Sequence, residues 1–221
     1  MQTRRLYLLG GNTSQEEANV HFAKAAGGES AHIALLIVYR KGWEAFLPRY
    51  TSHWIAQGVH ESNVSVIVPN EKGELDIAKS AEIITSATGI FIGGGHSETY
   101  YSIYTKQPFK GLLREKYAAG TPLAGNSAGA LLMPETVLLS PHDTDNNRAW
   151  SGPGLGILSN QLISVHFSQW QDEPNILAGL HQHDIPFGYG IDEDACLYLE
   201  NEKPAAVFGN EQVKRIEKGT L

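Results

Sequence analysis

Short apolar runs alternate with longer amphipathic stretches through the first two-thirds of the chain. The runs end in Gly, Pro, Asn or polar turns and predict strands at residues 6–9, 33–39, 64–68, 90–92 and 123–124. The longer stretches have apolar residues at helical spacing and predict helices at 16–26, 43–57, 77–86 and 98–119. Strands that alternate with helices indicate a mostly parallel sheet covered on both faces. The prediction is an α/β fold, a three-layer α/β/α sandwich, with residues 1–221 forming a single domain.

The pattern changes after residue 139. Residues 140–153 are polar and predict a long surface loop. A strand is expected at 158–167, a short helix at 173–183, and further strands with turns from residue 189 onward.

Charge and composition narrow the possible partners. The formal net charge is −7, with scattered charges, which argues against nucleic acid or an anionic membrane as a partner. No segment approaches the roughly 20 apolar residues of a membrane span, and the chain shows no signal-peptide pattern. Cys196 is the only cysteine, which excludes an intrachain disulfide and a cysteine-rich zinc site and fits a reducing compartment. We therefore expect a cytoplasmic protein.

The most informative segment is residues 121–132, where an apolar strand leads through a turn into a helix. Gly125, Ala128 and Gly129 surround Ser127 in the pattern G-x-S-x-G, which presents a serine hydroxyl at the C-terminal edge of a parallel sheet. The helix start supplies N–H groups that favour developing negative charge. Ser127 is thus a candidate nucleophile; the alternative is a tight turn that needs small residues only for packing.

A serine nucleophile needs a base and an orienting acid. His166 is the best-placed base, because it lies near the C-terminal end of the strand predicted at 158–167. The acid candidates are Asp192, Glu193 and Asp194, which follow a glycine-rich apolar segment, with Asp143 and Asp145 of the polar loop as rivals.

The reaction would also need donors for an oxyanion. The N–H of Ala128 is one candidate, and the glycines of residues 91–95 offer the other because they let backbone approach a substrate closely. No phosphate-binding glycine motif is complete. His181, His183 and Asp184, like His53 and His60, lack the H-E-x-x-H arrangement, so we expect neither a metal nor a cofactor.

Four motifs taken together resemble the dipeptidase E and cyanophycinase family of serine peptidases: F-I-G-G-G-H-S-E (91–98), A-G-N-S-A-G-A (124–130), V-H-F-S-Q (165–169) and G-Y-G-I-D-E-D-A (188–195). The resemblance implies a fold like that of class I glutamine amidotransferases and a homodimer. It assigns Ser127 as nucleophile, His166 as base and Glu193 as third member, although some members have been assigned an aspartate from the loop after the serine. Gly95 and Ala128 match the oxyanion donors.

Two departures concern substrate binding. His96 stands where many members of the family have Asn or Asp, and residues 167–184 lack the arginine that many members carry. Acidic specificity needs a cation, for which Arg148 is a candidate, and we expect Gly94 and His96 to contact substrate.

The resulting prediction is a serine peptidase that hydrolyses amide bonds of short peptides through an acyl-enzyme. The alternatives are a catalytically silent binding or scaffold protein of the same fold and an esterase-type serine hydrolase. In esterases with this elbow the histidine comes after the acid, whereas the best acid here follows His166.

Overall fold

A computed structural model describes residues 2–219. It has seven α-helices in chain order within these residues: α1 (Glu16–Ala26), α2 (Leu47–Ala56), α3 (Ile77–Ser86), α4 (Ser97–Tyr104), α5 (Phe109–Ala118), α6 (Ala128–Leu131) and α7 (Glu173–Gln182). The same residues form twelve strands: β1 (Arg5–Leu9), β2 (Ile33–Leu36), β3 (Val64–Ile67), β4 (Gly89–Ile92), β5 (Leu123–Asn126), β6 (Thr136–Leu139), β7 (Trp150–Pro153), β8 (Gln161–Val165), β9 (Phe187–Ile191), β10 (Ala195–Glu200), β11 (Lys203–Gly209) and β12 (Val213–Glu217).

The central sheet has seven strands in the order β11-β10-β1-β5-β4-β2-β3. The five strands from β1 to β3 in this order are parallel, and β10 and β11 extend the sheet in antiparallel pairing. β5 therefore lies between β1 and β4, so the segments that follow these three strands meet at one edge of the sheet.

Alternate residues of the parallel strands enter two separate cores, one on each face of the sheet. Leu8 and Ile92 belong to a core shared with α3, α4 and α5, whereas Leu9 and Phe91 belong to a core shared with α1 and α2. Burial of both faces explains why these strands are continuous apolar runs rather than alternating ones. The mostly parallel sheet between helical layers confirms the predicted fold class.

A smaller sheet, in the order β12-β9-β8, lies beyond the central one. β8 pairs with β9 in parallel, and α7 packs on this sheet through a third apolar core that includes Leu162, Ile176 and Leu180. This sheet carries residues 166 and 193 at the ends of β8 and β9.

Two predicted boundaries are wrong. The helix predicted at 98–119 is two helices, because Pro108 lacks an N–H and disfavours helical backbone at the preceding residue. The loop predicted at 140–153 ends in β7, which pairs antiparallel with β6. The Trp150 ring packs edge-on against Tyr101 of α4 at 4.6 Å between centroids, a contact that the polar composition of the segment conceals.

Candidate active site

Ser127 lies between the end of β5 and the start of α6, at the C-terminal edge of the parallel strands. Its backbone has φ 48° and ψ −113°, a conformation that non-glycine residues rarely adopt. A Cβ on Gly125 would lie 2.5 Å from the Gly129 backbone, and one on Gly129 would lie 2.3 Å from the Ile92 carbonyl oxygen. The turn therefore needs glycine at both positions, as the G-x-S-x-G pattern predicts.

Backbone hydrogen bonds hold this turn against its neighbours. The N–H of Ser127 donates to the Leu9 carbonyl at 2.9 Å, and the N–H of Gly129 donates to the Gly93 carbonyl at 3.1 Å. The N–H of His166 donates to the Gly10 carbonyl at 3.0 Å. These main-chain hydrogen bonds thus join the segments at the ends of β1, β4, β5 and β8.

His166 follows β8 directly and has a positive φ of 48°, which turns its side chain towards Ser127. Its Nε2 lies 2.9 Å from the Ser127 Oγ. Gly11 leaves the space for the imidazole, because a Cβ at this position would lie 2.4 Å from the His166 Cε1. The structure thus brings the predicted nucleophile and base within hydrogen-bonding distance.

Of the three neighbouring acids, Glu193 is the one that faces His166. Its Oε1 lies 2.8 Å from the imidazole Nδ1, although 49% of the Glu193 side chain is exposed. Asp192 accepts a hydrogen bond from the Ser168 N–H, and Asp194 accepts hydrogen bonds from the Asn12 and Asn210 side chains.

The two rival acids of the polar loop contact other groups. The Asp143 carboxylate accepts a hydrogen bond from the Ser97 hydroxyl at 2.6 Å and another from the Ser140 N–H. Burial raises the pKa of the Asp143 carboxyl, and these hydrogen bonds oppose that rise. Asp145 is exposed, and its Oδ1 lies 2.9 Å from the His96 Nε2.

The two predicted oxyanion donors belong to different segments: Gly95 follows β4, and Ala128 is the residue directly after Ser127. The backbone N–H groups of Gly95 and Ala128 donate to no protein acceptor among residues 2–219, whereas the Gly94 N–H donates to the Tyr50 hydroxyl at 3.2 Å. Ala128 opens α6, which adds the partial positive charge of a helix start. Neither N–H group is thus satisfied within these residues; Gly95 borders the cavity beside Ser127, whereas Ala128 is buried and does not line it.

A cavity of about 530 Å³ opens beside Ser127 and extends along the ends of β4 and β2. Gly94, Gly95 and His96 line it, as do Asp143 and His166. Arg148 is not among the residues that line it, and its exposed side chain lies in the loop before β7. A substrate-binding role for Arg148 therefore stays a prediction.

Two arginines that the sequence analysis did not single out line the same cavity. The Arg40 guanidinium carbon lies 3.4 Å from the Phe46 ring centroid, and that of Arg49 lies 5.6 Å from it. Neither guanidinium lies within salt-bridge distance of a carboxylate in residues 2–219. Both arginines follow β2 in the chain, and the sequence alone does not indicate that this segment lines the same cavity as Ser127.

Trp170 also lines the cavity and was not predicted. Its ring stacks on the His166 imidazole, with 4.4 Å between centroids and 23° between ring planes, and its centroid lies 5.2 Å from that of His142. The only sequence signal that could have identified Trp170 is its position four residues after His166.

Clusters of side chains that could hold a metal ion are few in residues 2–219. One group of three, His96, Glu98 and Asp145, has its ligand atoms within 4.8 Å of one another, at the rim of the cavity. The histidines and aspartate considered earlier do not form such a group: His183 contacts the Ser151 hydroxyl, and Asp184 pairs with Lys218. Cys196 is a buried free cysteine, and burial raises the pKa of its thiol. It is not among the residues that line the cavity. Across the described residues, we find no helix with the length and apolar character that crossing a bilayer requires.

Comparison with known proteins identifies the family. The sequence model of peptidase family S51 matches residues 6–207, so the chain belongs to this family. The match confirms the predicted kinship with dipeptidase E and cyanophycinase.

The chain is similar to cyanophycinases of known sequence. It is 26% identical over 200 residues to that of Synechococcus elongatus, covering 89% of this chain and 62% of the relative. The cyanophycinase of Geminocystis herdmanii is also 26% identical, with 73% of its length covered. The chain thus spans about three-fifths of the first of these relatives. A peptidase of known crystal structure from an acI-B1 Actinobacterium shares the fold, with a TM-score of 0.74, 20% identity and coverage of 97% of this chain and 91% of that one.

Proposed function

We propose that the protein is a serine peptidase that hydrolyses amide bonds of short peptides, with Ser127 as nucleophile, His166 as base and Glu193 as orienting acid. One observation carries the proposal: a continuous hydrogen-bonded row from the Ser127 Oγ through both nitrogens of His166 to the Glu193 carboxylate, with distances of 2.9 and 2.8 Å. Membership of family S51 supports it.

The geometry supports an acyl-enzyme mechanism. The Ser127 Oγ attacks the substrate carbonyl carbon while His166 Nε2 takes the hydroxyl proton, and Glu193 stabilises the imidazolium from Nδ1. The carbonyl oxygen becomes an oxyanion that accepts hydrogen bonds from the Gly95 and Ala128 N–H groups. When the C–N bond breaks, His166 delivers its proton to the leaving amine. Water, activated by His166, then hydrolyses the ester.

The side chains that line the cavity favour a substrate that carries a carboxylate. Arg40 and Arg49 line it without a carboxylate partner within residues 2–219, and guanidinium groups bind carboxylates with paired hydrogen bonds. We propose that these arginines, together with Gly94 and His96, contact the substrate. Arg148 is the alternative candidate for the cation that binds a substrate carboxylate. Cyanophycin is a second substrate to test, because the relatives are cyanophycinases.

The nucleophile is tested with a fluorophosphonate probe. Wild type should be labelled and Ser127→Ala should not, while Ser86→Ala, which changes an exposed serine of α3, should be labelled at the wild-type rate. Labelling of Ser127→Ala would refute the assignment. Absence of labelling and of peptide turnover in the wild type would favour a silent binding protein.

Specificity is tested with matched dipeptides, Asp-Leu and Asn-Leu, and with Asp-Leu amide. Asn-Leu lacks the side-chain carboxylate of Asp-Leu, and Asp-Leu amide lacks its C-terminal carboxylate. Arg40→Gln or Arg49→Gln should raise KM for Asp-Leu about 10-fold or more, and should leave KM unaffected for the analogue that lacks the carboxylate bound by that arginine. If Arg148→Gln alone has this effect, Arg148 supplies the cation and the assignment to Arg40 and Arg49 is wrong.

A further inference from the structure

Trp170 occupies a place beside the proposed base that the reaction scheme leaves unexplained. The backbone N–H of Trp170 donates to the His166 carbonyl at 2.8 Å. The turn after His166 therefore places the indole over the imidazole. The two rings then stack at 4.4 Å, with only 23° between their planes. The stack lines the cavity rather than the apolar core.

We propose that Trp170 is a positioning residue that holds the His166 ring for proton transfer and stabilises its imidazolium form through the indole face. This inference rests on the proposed function, because it assigns Trp170 a task only if His166 takes the proton of Ser127.

The His166 imidazole needs a positioning contact because of how its ring is held. Its hydrogen bonds to Ser127 and Glu193 act at the ring edge, within the ring plane. They constrain tilting of the ring weakly, and Gly11 brings no side chain to support it. A flat aromatic surface stacked on the imidazole restricts tilting directly, and offset-stacked aromatic pairs are favourable.

Trp170 also acts on the charge that the reaction creates on His166. Accepting the serine proton makes His166 cationic, and an indole face is the best aromatic partner for a cation within about 6 Å of its centroid. The titratable groups that face His166 from the surrounding elements are Glu193 after β9, Asp143 after β6, and His142, which contacts Trp170 itself. Glu193 is half exposed and open to solvent screening. The indole, stacked directly on the imidazole, adds a short-range contribution to the stabilisation.

The test compares the rate of fluorophosphonate labelling as a function of pH in Trp170→Leu, Trp170→Phe and wild type. Trp170→Leu removes the π face, so labelling should slow about 2- to 30-fold, and the acidic limb of the pH profile should move to lower pH by about half to one unit. The limb moves down because the destabilised imidazolium loses its proton more readily. Trp170→Phe keeps an aromatic face and should restore most of the rate and the position of the limb.

Trp150→Leu is the matched control, because Trp150 packs on Tyr101 away from the cavity, and it should match wild type in both readouts. Thermal unfolding of each variant separates misfolding from slower labelling. An unmoved limb in Trp170→Leu, or a Trp170→Phe variant as slow as Trp170→Leu, would overturn the inference while leaving the proposed function intact. A wild type that the probe does not label would remove both.

Discussion

The Oε1 of Glu193 lies 2.8 Å from Nδ1 of His166, at the exposed end of a row of side chains that begins at Ser127. This contact favours the tautomer with the proton on Nδ1, because a carboxylate accepts a hydrogen bond from that N–H and leaves Nε2 free to accept one from the serine.

Glu193→Gln should therefore lower kcat about 100-fold or more, since an amide can favour the wrong tautomer and carries no charge to stabilise the imidazolium. Steady-state kinetics on the preferred peptide measure the effect. Glu173→Gln, on the surface of α7, is the control and should retain wild-type kinetics. Full activity in Glu193→Gln together with a large loss in Asp143→Asn would transfer the orienting role to the loop acid.

Gly11→Ala should separate activity from stability. The added methyl group would lie 2.4 Å from the His166 Cε1 and 3.1 Å from the Glu193 Cγ, so these two side chains must move while the core stays packed. We expect at least a 10-fold loss of kcat, with the free energy of unfolding changed by less than about 1.5 kcal/mol. Urea unfolding and kinetics on the same samples measure both quantities.

Gly111→Ala serves as the control for that variant. Gly111 lies within α5, and its added methyl group would meet only the flexible end of Gln107, so this change should leave kcat unaltered. Wild-type kcat in Gly11→Ala would mean that the imidazole has room that the structure does not suggest.

Asp143→Asn should change how stability depends on pH. Burial raises the folded-state pKa of this carboxyl, so its contribution to stability is complete below the unfolded-state pKa and is lost as pH rises through the folded-state pKa. The asparagine variant lacks this loss. The difference between the two free energies of unfolding, variant minus wild type, should therefore be larger at pH 7 than at pH 4. Urea titrations at the two pH values decide; a difference that falls with rising pH contradicts the assignment.

Glu202 should show the opposite dependence. Arg4 donates two hydrogen bonds to its carboxylate, at 2.8 and 2.7 Å, which lowers the Glu202 pKa. Stability from this pair is therefore present above the unfolded-state pKa and is lost as pH falls through the folded-state pKa. Glu202→Gln should cost about 1 kcal/mol at pH 7 and little at pH 3, as measured by urea unfolding. An equal cost at both pH values would assign the effect to packing.

Sequence patterns predicted the layered fold because it depends on local signals. Burial on both faces produces the apolar runs of β1 to β5. The turn at Ser127 has no space for side chains at positions 125 and 129, so the sequence has glycine at both. The chemistry around the serine is less local. Arg40, Arg49 and Trp170 line the same cavity as Ser127 because the fold brings the segments after β2 and β8 to it, and no nearby motif marks them. The single domain, the homodimer and the cytoplasmic location stay predictions.

The amide groups that join residues 9, 10 and 93 to the serine and histidine segments have an implication for redesign. Since no side chain takes part in these hydrogen bonds, the side chain at position 127 can be replaced while the backbone hydrogen bonds that hold the turn are kept. Ser127→Cys would set a thiol at the same point, and a scaffold that keeps its shape under such an exchange is a starting point for enzymes with a different nucleophile.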